Sequence, residues 1–400
     1  MADRKFTLSE LPWNENFRVP DLDNILTPAL VIYPEMIASN IACTLKLLDG
    51  DANRWRAHIK TAKLNYTLRM LIERGVGNFK CATSLELWQA CQNGAKNVLL
   101  AYPVVGANAR RVMEIRKQFP QVRISVLIES SEQVLQWRGS GIGIFLDINP
   151  GMNRTGLELN ATELNATEKL IEVIRTVRDA GLEFRGLHFY DGQYGSVDEP
   201  ERTRATHAGY DRLLNAVEDL RRDGIDVAEV VTAGTPTFPC SLSYKKFHSA
   251  GFVHRVSPGT VVYNDATSLA QLPAAFGYAP AALVLTRVVS RPHPGIVTCD
   301  AGHKAVSADA GVPTCVVVGH PELSPLTPSE EHLPLAVKNL AGKNTDGAQA
   351  PQIGDVLYLL PRHVCPTVNN FDAALIVRSG KIEAVEQVSA RGHEGPLLAS

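Results

Sequence analysis

Short apolar runs alternate with helical patterns through the middle of the chain. Eight runs have the length and composition of buried strands: "RAHIKT", "FKCAT", "VLLAYP", "RISVLIE", "IGIFLDI", "FRGLHFY", "AEVVTAG" and "VHRVSPG". Between them lie segments with apolar residues at helical spacing, such as "NYTLRMLIERG", "SLELWQACQNG" and "ATEKLIEVIRTVRDAG", which end at a glycine. Eight β/α units predict a parallel sheet, and eight is the number that closes a (β/α)8 TIM barrel. A doubly wound open sheet is the structural alternative.

The pattern changes from about residue 266. Helical spacing becomes rare, and β-rich runs follow one another: "AALVLTRVVSR", "GIVTCDAG", "TCVVVG", "HLPLAV", "GDVLYLLP" and "AALIVRSGKI". These runs predict a second, C-terminal, mostly antiparallel β domain, with "AGKNTDGAQAPQ" as a surface loop. The early run "TPALVIY" is expected to join that domain. We place the barrel at residues 29–265 and the β domain at residues 1–28 and 266–400.

Composition narrows the class of protein. The chain has 400 residues, 45% of them hydrophobic and 20% charged, with a formal net charge of −2. A near-neutral balance argues against nucleic-acid or anionic-membrane partners, and no apolar run reaches the roughly 18 residues that span a bilayer. The N-terminal segment lacks the apolar region of a secretory signal, and the seven scattered cysteines are typical of a reducing compartment. We therefore expect a cytoplasmic globular protein, in which the Asn-x-Thr matches of "LELNATELNATEKL" are not glycosylation sites.

Residues that could act in catalysis or bind a cofactor follow several of the predicted barrel strands, at the edge where barrel enzymes carry their active sites. In chain order they are Lys60, Tyr102, Arg154 in "DINPGMNRTGL", His188, Tyr190 and Asp191 in "LHFYDGQ", and the Gly-Thr pairs of "AGTPT" and "SPGTVVYND". Gly-Thr after the last two strands predicts a phosphate cradle, and a strand-end lysine can form a Schiff base. Together they indicate pyridoxal phosphate. Singly, each has an ordinary alternative: a solvated lysine, a turn, a surface ion pair for Arg154 and a core histidine for His188.

A histidine and a cysteine lie two positions apart in "RHVCPTVNNFD", behind the apolar run "DVLYLLP". We interpret the segment as a strand, in which His363 and Cys365 point to the same face. Imidazole and thiolate are ligands that zinc prefers. The alternative is that both residues belong to the core, where cysteine is often found.

These segments resemble a known family. "RAHIKTAK", "FKCATSLEL", "NRTGL", "LHFYDG", "AGTPTFP", "SPGTVVYND", "GHKAVSAD", "SEEHLPL" and "HVCPTV" are similar to the D-threonine aldolase and D-serine dehydratase family, fold-type III pyridoxal phosphate enzymes with an alanine racemase-like barrel. The resemblance implies that Lys60 holds the cofactor as a Schiff base. From their positions at the strand ends, we expect Lys60 and His188 to be catalytic. The resemblance further implies that Arg154 faces the pyridine nitrogen, that Tyr190 lies near the ring, and that the phosphate is held by Gly234, Thr235, Gly259 and Thr260. By the same resemblance His363 and Cys365 bind a divalent metal, with zinc favoured over manganese or magnesium.

Two positions depart from the family pattern. The family usually has a histidine where this chain has Ala62 in "IKTAK", and another where it has Gln193 in "YDGQ". A histidine at either position could act as an acid, a base or a neighbour of the metal. Its absence puts the exact substrate in doubt. Lys304 in "GHKAVSAD" and His332 in "SEEHLPL" could line the site or simply lie at the surface.

The resemblance implies a lyase acting on small β-hydroxy-D-amino acids. Retro-aldol cleavage to glycine and an aldehyde is favoured, and D-serine dehydratase-type elimination to a 2-oxo acid and ammonia is the alternative. An amino-acid racemase and a non-catalytic pyridoxal phosphate-binding regulator are further alternatives. The resemblance also implies a head-to-tail homodimer, about which the residues themselves are silent.

Overall fold

The computed structural model describes residues 8–159, 166–338 and 350–397. Asn160 and Asn165, the acceptor positions of both Asn-x-Thr matches, lie outside the described residues, as does most of the predicted loop "AGKNTDGAQAPQ". Within the described residues, no helix combines the length and the apolar character needed to cross a membrane.

The strands agree closely with the apolar runs. In chain order they are β1 Ala29–Ile32, β2 Arg56–His58, β3 Asn78–Cys81, β4 Asn97–Leu100, β5 Arg123–Ile128, β6 Gly143–Asn149, β7 Leu157–Glu158, β8 Phe184–Phe189, β9 Glu229–Thr232, β10 Val253–Val256, β11 Ala282–His293, β12 Ile296–Cys299, β13 Cys315–Val317, β14 Leu323–Pro325, β15 Leu333–Val337, β16 Val356–Pro361, β17 Ala373–Arg378 and β18 Lys381–Gln387.

The three quoted segments with helical spacing are all helical, and the structure has further helices. In chain order the helices are α1 Pro34–Leu47, α2 Asn65–Glu73, α3 Ser84–Gln92, α4 Ala107–Gln118, α5 Ser131–Val134, α6 Ala166–Asp179, α7 Glu199–Arg222, α8 Phe238–Ser243, α9 Ala266–Gln271 and α10 Val364–Asn369. Their ends follow local chemistry. At the start of α3, for example, the Thr83 side chain accepts a hydrogen bond from the backbone N–H of Glu86.

The described chain forms two compact units. The barrel unit comprises residues 45–60, 68–259 and 393–397, and the β unit comprises residues 8–44, 61–67 and 260–392, apart from the undescribed segments.

The barrel unit is a parallel barrel. Its strands follow the order β2, β3, β4, β5, β6, β8, β9, β10, and a parallel bridge between Trp55 and Val256 connects the two ends of that order. The eight predicted strands and their closure into a barrel are confirmed. Leu99, Leu127 and Phe145 pack together in its interior, as expected where parallel strands are covered on both faces.

A buried ionic group fills the end of the barrel at which the strands begin. Arg56 is 0% exposed and donates to Glu229 Oε1 from Nε at 2.8 Å and from Nη2 at 2.6 Å. Arg255 forms an ion pair with the other oxygen of the same carboxylate. These residues lie at the opposite end of the barrel from the strand termini that carry Lys60, so the buried ionic group is separate from the edge at which chemistry is predicted.

The β unit is mostly antiparallel. β11 pairs with β1, β12 and β16, and β17 pairs with β18 in the antiparallel sense. The early strand β1 joins this sheet, as expected, and lies parallel to β17. Its core contains a cluster of buried side chains that includes Phe17, Tyr33, Leu283, Leu285 and Leu360.

The strand predicted around His363 and Cys365 is wrong. β16 ends at Pro361, His363 is the extended N-cap residue with φ −132° and ψ 105°, and Cys365 lies in the first turn of α10. Pro366 explains the difference, because proline removes a donor from a strand ladder but is tolerated in the first turn of a helix, where the N–H has no helical partner. The two side chains nevertheless meet, as described below.

Candidate functional site

Lys60 follows β2 at the carboxyl edge of the barrel. Its side chain is half-buried, and its backbone N–H donates to His58 Nδ1 at 3.3 Å. Parallel strands place all their carboxyl ends at one edge, so residues that follow the other strands share this edge with Lys60. The predicted position of the lysine is therefore found in the structure.

Two glycines approach this edge more closely than any other residue could. A Cβ atom on Gly259 would lie 2.3 Å from the carbonyl oxygen of His58, two residues before Lys60. A Cβ atom on Gly234 would lie 2.9 Å from the ring of Tyr190. Close backbone approach of this kind leaves no room for a side chain over the main chain, which suits a bound phosphate.

Two basic side chains lie close to the ring of Tyr190. The Arg154 guanidinium carbon is 4.9 Å from the ring centroid, and Lys80 Nζ is 5.4 Å from it. Both distances are within the range of cation–π attraction. The structure thus brings Arg154 and Tyr190, two of the predicted site residues, into contact, while Lys80 is a residue that the sequence analysis did not select.

Lys80 belongs to a series of buried, hydrogen-bonded polar side chains across the barrel. Lys80 Nζ lies 2.5 Å from Ser257 Oγ and 3.4 Å from His188 Nε2, and His188 Nδ1 lies 2.7 Å from Asp147 Oδ1. Thr155 Oγ1 donates to the other Asp147 oxygen at 2.7 Å. A carboxylate only accepts, so the His188 proton lies on Nδ1 and Nε2 accepts from Lys80.

Burial and neighbouring charges shift the pKa values of Lys80, His188 and Asp147. Burial, and then the positive charge of Lys60, lower the pKa of Lys80 to about 7. Burial and the nearby Lys80 lower the pKa of His188, so the imidazole is neutral at pH 7. Burial raises the pKa of Asp147, but the hydrogen bonds from His188 and Thr155 outweigh it, and the pKa is lowered overall. His188 is 3% exposed and is held between two partners.

Asp191 directly follows Tyr190 and is hydrogen-bonded to the loop that carries Gly234. It is fully buried and accepts hydrogen bonds from the Tyr210 hydroxyl at 2.6 Å and from Thr237 Oγ1. Thr237 Oγ1 in turn accepts the backbone N–H of Gly234 at 3.2 Å. Burial raises the pKa of Asp191 despite these donors. Asp191 therefore holds the loop that carries Gly234 and the buried Thr235.

In the β unit, His363 has a carboxylate partner. His363 Nδ1 lies 2.7 Å from Asp309 Oδ2, and the ring is also hydrogen-bonded to the Cys365 side chain. Burial lowers the pKa of His363, but Asp309 and Cys365 outweigh burial and raise it to about 10. The pair predicted as metal ligands is thus in contact, with Asp309 as a third member that the sequence analysis missed.

Cys365 is held by hydroxyl groups from two other segments. Its Sγ is 2.9 Å from Thr61 Oγ1 and 3.6 Å from Thr260 Oγ1. The neighbouring Val364 N–H donates to Asp265 Oδ2 at 3.0 Å. Thr260, predicted to contact phosphate, is therefore placed by the structure beside the thiol of the β unit.

The donor set of this pair suits a divalent metal. Thiol and imidazole in mutual contact provide one soft and one borderline ligand, which fits zinc better than magnesium. In the described ranges, no three His, Cys, Asp or Glu side chains are grouped so that they could hold a metal ion together. A metal here would take two protein ligands, with its remaining positions open to water or substrate.

The other predicted positions have plainer surroundings. Lys304 forms exposed ion pairs with Glu330 and Glu331 at 2.6 Å and 3.1 Å, which favours a surface role. Tyr102 is 56% exposed and lines a cavity of about 650 Å³ in the barrel unit.

The two departures from the family pattern, and His332, also have local partners. Ala62 is buried, and its carbonyl accepts the Tyr263 hydroxyl at 3.0 Å. Gln193 Nε2 donates to the Pro150 carbonyl at 3.1 Å. His332 Nδ1 is 3.5 Å from Ser329 Oγ.

Comparison with known families decides the relationship. The family model "Alanine racemase, N-terminal domain" matches residues 32–267, more than half of the chain. The chain belongs to this family. A second model, "Putative serine dehydratase domain", matches residues 281–377 of the alanine racemase-like chain.

Relatives of known activity cover nearly the whole chain. A D-threonine aldolase from Arthrobacter sp. is 26% identical over 385 residues, covering 93% of this chain and 94% of that protein. A D-threo-3-hydroxyaspartate dehydratase from Delftia sp. (strain HT23) is 24% identical over 382 residues, covering 90% and 97%.

A solved structure gives the same picture. The crystal structure of D-threonine aldolase from Filomicrobium marinum aligns with TM-score 0.81 at 26% identity, covering 97% of this chain and 100% of that one. The predicted resemblance, the alanine racemase-like fold and the membership of a lyase family are confirmed.

Proposed function

We propose that this chain is a pyridoxal phosphate- and divalent metal-dependent lyase that cleaves β-hydroxy-D-amino acids to glycine and an aldehyde, as a D-threonine aldolase does. The observation that supports the proposal is that Lys60, the Tyr190–Arg154 pair, Gly234 and Gly259 all follow barrel strands at the carboxyl edge, and that a Cβ atom on Gly259 would lie 2.3 Å from the His58 carbonyl oxygen. Each corresponds to one part of a pyridoxal phosphate molecule: aldehyde, ring and phosphate.

The residues that would hold the cofactor follow from this placement. Lys60 would hold it through Nζ, Arg154 would face the pyridine nitrogen and Tyr190 would lie beside the ring. The phosphate would lie against the backbone and hydroxyl groups of Gly234, Thr235, Gly259 and Thr260. When bound, pyridoxal phosphate supplies an electron sink for a bond at the substrate Cα.

We assign the hydrogen-bonded series of Lys80, His188 and Asp147 a positioning role. His188 and Asp147 are deeply buried, so we assign His188 to positioning Lys80, whose Nζ lies 5.4 Å from the centroid of the Tyr190 ring. This modifies the catalytic role expected for His188. When the Cα–Cβ bond breaks, Cα of the glycine product needs a proton, and we propose that Lys60 Nζ delivers it.

His363 and Cys365 are the proposed metal ligands. When bound, a divalent metal supplies a Lewis acid for the substrate β-hydroxyl. Zinc is the metal we propose, because a thiolate is a poor ligand for manganese and magnesium.

A D-serine dehydratase-type elimination is the second candidate. The observation that favours it is the His-x-Cys pair itself. Solved structures of D-threo-3-hydroxyaspartate dehydratase include variants at a histidine and at a cysteine two positions further along, the latter in metal-free form. We favour the aldolase because the relative from Arthrobacter sp. and the solved structure from Filomicrobium marinum are both D-threonine aldolases.

Cofactor attachment is tested first. The purified protein should absorb as a Schiff base, and borohydride reduction should label Lys60, while Lys60→Ala should lose both signals. Label on Lys80 or Lys63, the other lysines buried in the structure, would contradict the proposal.

Product analysis then separates the reactions. Incubation with D-threonine should yield glycine and acetaldehyde, whereas 2-oxobutanoate and ammonia would establish the elimination. Exhaustive chelation should abolish either reaction while the cofactor stays bound, and activity that survives chelation would favour a racemase. We also propose a homodimer, which light scattering on the holoenzyme tests.

A further inference from the structure

We infer that Asp309 is a positioning residue for the metal ligand His363. The inference rests on the proposed metal site and deepens it. Asp309 Oδ2 lies 2.7 Å from His363 Nδ1, across 54 residues of sequence. A histidine that ligates a metal through one ring nitrogen usually donates the other N–H to a carboxylate, which sets the tautomer and the ring orientation.

The contact decides which nitrogen of His363 is the ligand. A carboxylate accepts only, so the Nδ1 proton faces Asp309 and Nε2 is the nitrogen left for a metal. Asp309 uses Oδ2 for this contact, and its Oδ1 accepts a hydrogen bond from Ser307 Oγ at 2.9 Å. With both oxygens engaged, Asp309 acts on the metal through the imidazole rather than as a third ligand, in agreement with the absence of a three-residue metal group among the described residues.

The loop that carries Asp309 is fastened to the same helical turn as His363. The Ser307 N–H donates to Thr367 Oγ1 at 3.2 Å, and Thr367 Oγ1 donates to the His363 carbonyl at 2.9 Å. Asp309 and His363 are therefore fixed relative to each other by their backbones as well as by the side-chain contact. A contact that arose only from two mobile surface side chains would have no such support.

A second pair in the same unit shows what an ordinary contact of this kind looks like. His320 Nδ1 lies 2.8 Å from Glu322 Oε1, nearly the same distance, and its histidine is similarly exposed at 39% against 37% for His363. The ring of His363 differs because it also contacts the Cys365 thiol. Glu322 thus provides a matched control for the chemistry of the Asp309 carboxylate.

Zinc affinity tests the role directly. Asp309→Ala and Asp309→Asn are purified as holoenzymes, stripped of metal, and titrated with zinc against a chromophoric chelator. We expect Asp309→Ala to bind zinc 10–100-fold more weakly and Asp309→Asn to lose less, since its amide oxygen still accepts the Nδ1 proton. Glu322→Gln should bind zinc as the wild type does. In each variant cobalt should still give the thiolate charge-transfer band, because Cys365 is untouched.

The outcomes separate this inference from the proposed site. His363→Ala is titrated in parallel. If His363→Ala binds zinc weakly and Asp309→Ala binds it like the wild type, the role of Asp309 is refuted and the metal site stands. If His363→Ala binds zinc like the wild type, the proposed site itself fails. An equal loss in Asp309→Ala and Glu322→Gln would show a nonspecific charge effect and would also overturn the inference. Thermal unfolding of the metal-free proteins checks that Asp309→Ala is folded, as expected for a half-exposed pair.

Discussion

Replacing Lys80 by methionine should change how the stability of the protein depends on pH. Lys80 is 2% exposed, and burial with the neighbouring charge of Lys60 lowers its pKa to about 7, from 10.5 in the unfolded chain. Between about pH 7 and pH 10.5 the unfolded chain therefore binds a proton that the folded protein does not. Stability rises with pH wherever the unfolded state binds more protons, so Lys80 should make the wild type more stable as pH increases through this window.

The magnitude follows from the pKa difference. Each pH unit inside the window changes the free energy of unfolding by about 1.4 kcal/mol, so the full effect is about 5 kcal/mol. From pH 7.5 to pH 9.5 the contribution of Lys80 should increase by about 2–3 kcal/mol. Lys80→Met lacks this gain and should lose that amount of stability relative to the wild type over the same interval.

Urea unfolding of the cofactor-free proteins measures the effect. Trp55, Trp88 and Trp137 lie in the barrel unit, so their fluorescence reports on the unit that contains Lys80. Lys80→Arg provides the matched comparison, because a guanidinium stays charged at every pH in the window. It should also lack the gain with pH, and it should be less stable than Lys80→Met throughout.

The result that refutes this reasoning is simple. If the stabilities of the wild type and Lys80→Met follow parallel curves from pH 7 to pH 10, Lys80 does not release its proton in that range. The account of a buried amine held between His188 and Ser257 would then be wrong.

Two further predictions follow from the barrel. Glu229→Gln should lower the free energy of unfolding in urea by about 3–5 kcal/mol, because it leaves the guanidinium of Arg56, which is 0% exposed, without its carboxylate partner. A loss below about 1 kcal/mol would show that water solvates this charge. Gly259→Ala should weaken cofactor binding about tenfold or more, since its Cβ would lie 2.3 Å from the His58 carbonyl and force a backbone shift costing about 1–3 kcal/mol. Gly395→Ala, whose methyl group would meet nothing within 4 Å, is the control, and equal affinities of the two variants would contradict the argument.

Part of the site could not be predicted because its signal is not local. Lys80 lies in the segment "FKCAT", which was predicted to be a buried strand. A lysine in such a strand indicates a buried polar partner, but the sequence pattern does not identify that partner. His188 lies in β8 and Ser257 directly follows β10, both far from Lys80 along the chain. Asp309 gave still less signal, because nothing in "SADAGVP" distinguishes it from a loop aspartate.

The sequence by itself determined the eight barrel strands and most of the strands of the β unit, and it placed Lys60 at the end of a strand. Strand runs, helical spacing and strand-end residues such as Lys60 are set within about ten neighbouring residues, so they can be recognised without the fold. Tertiary structure decided which side chains meet: Lys80 with His188, His363 with Asp309, and Cys365 with Thr61. These contacts depend on how distant segments pack, and the charge states and proposed ligand orientations depend in turn on those contacts.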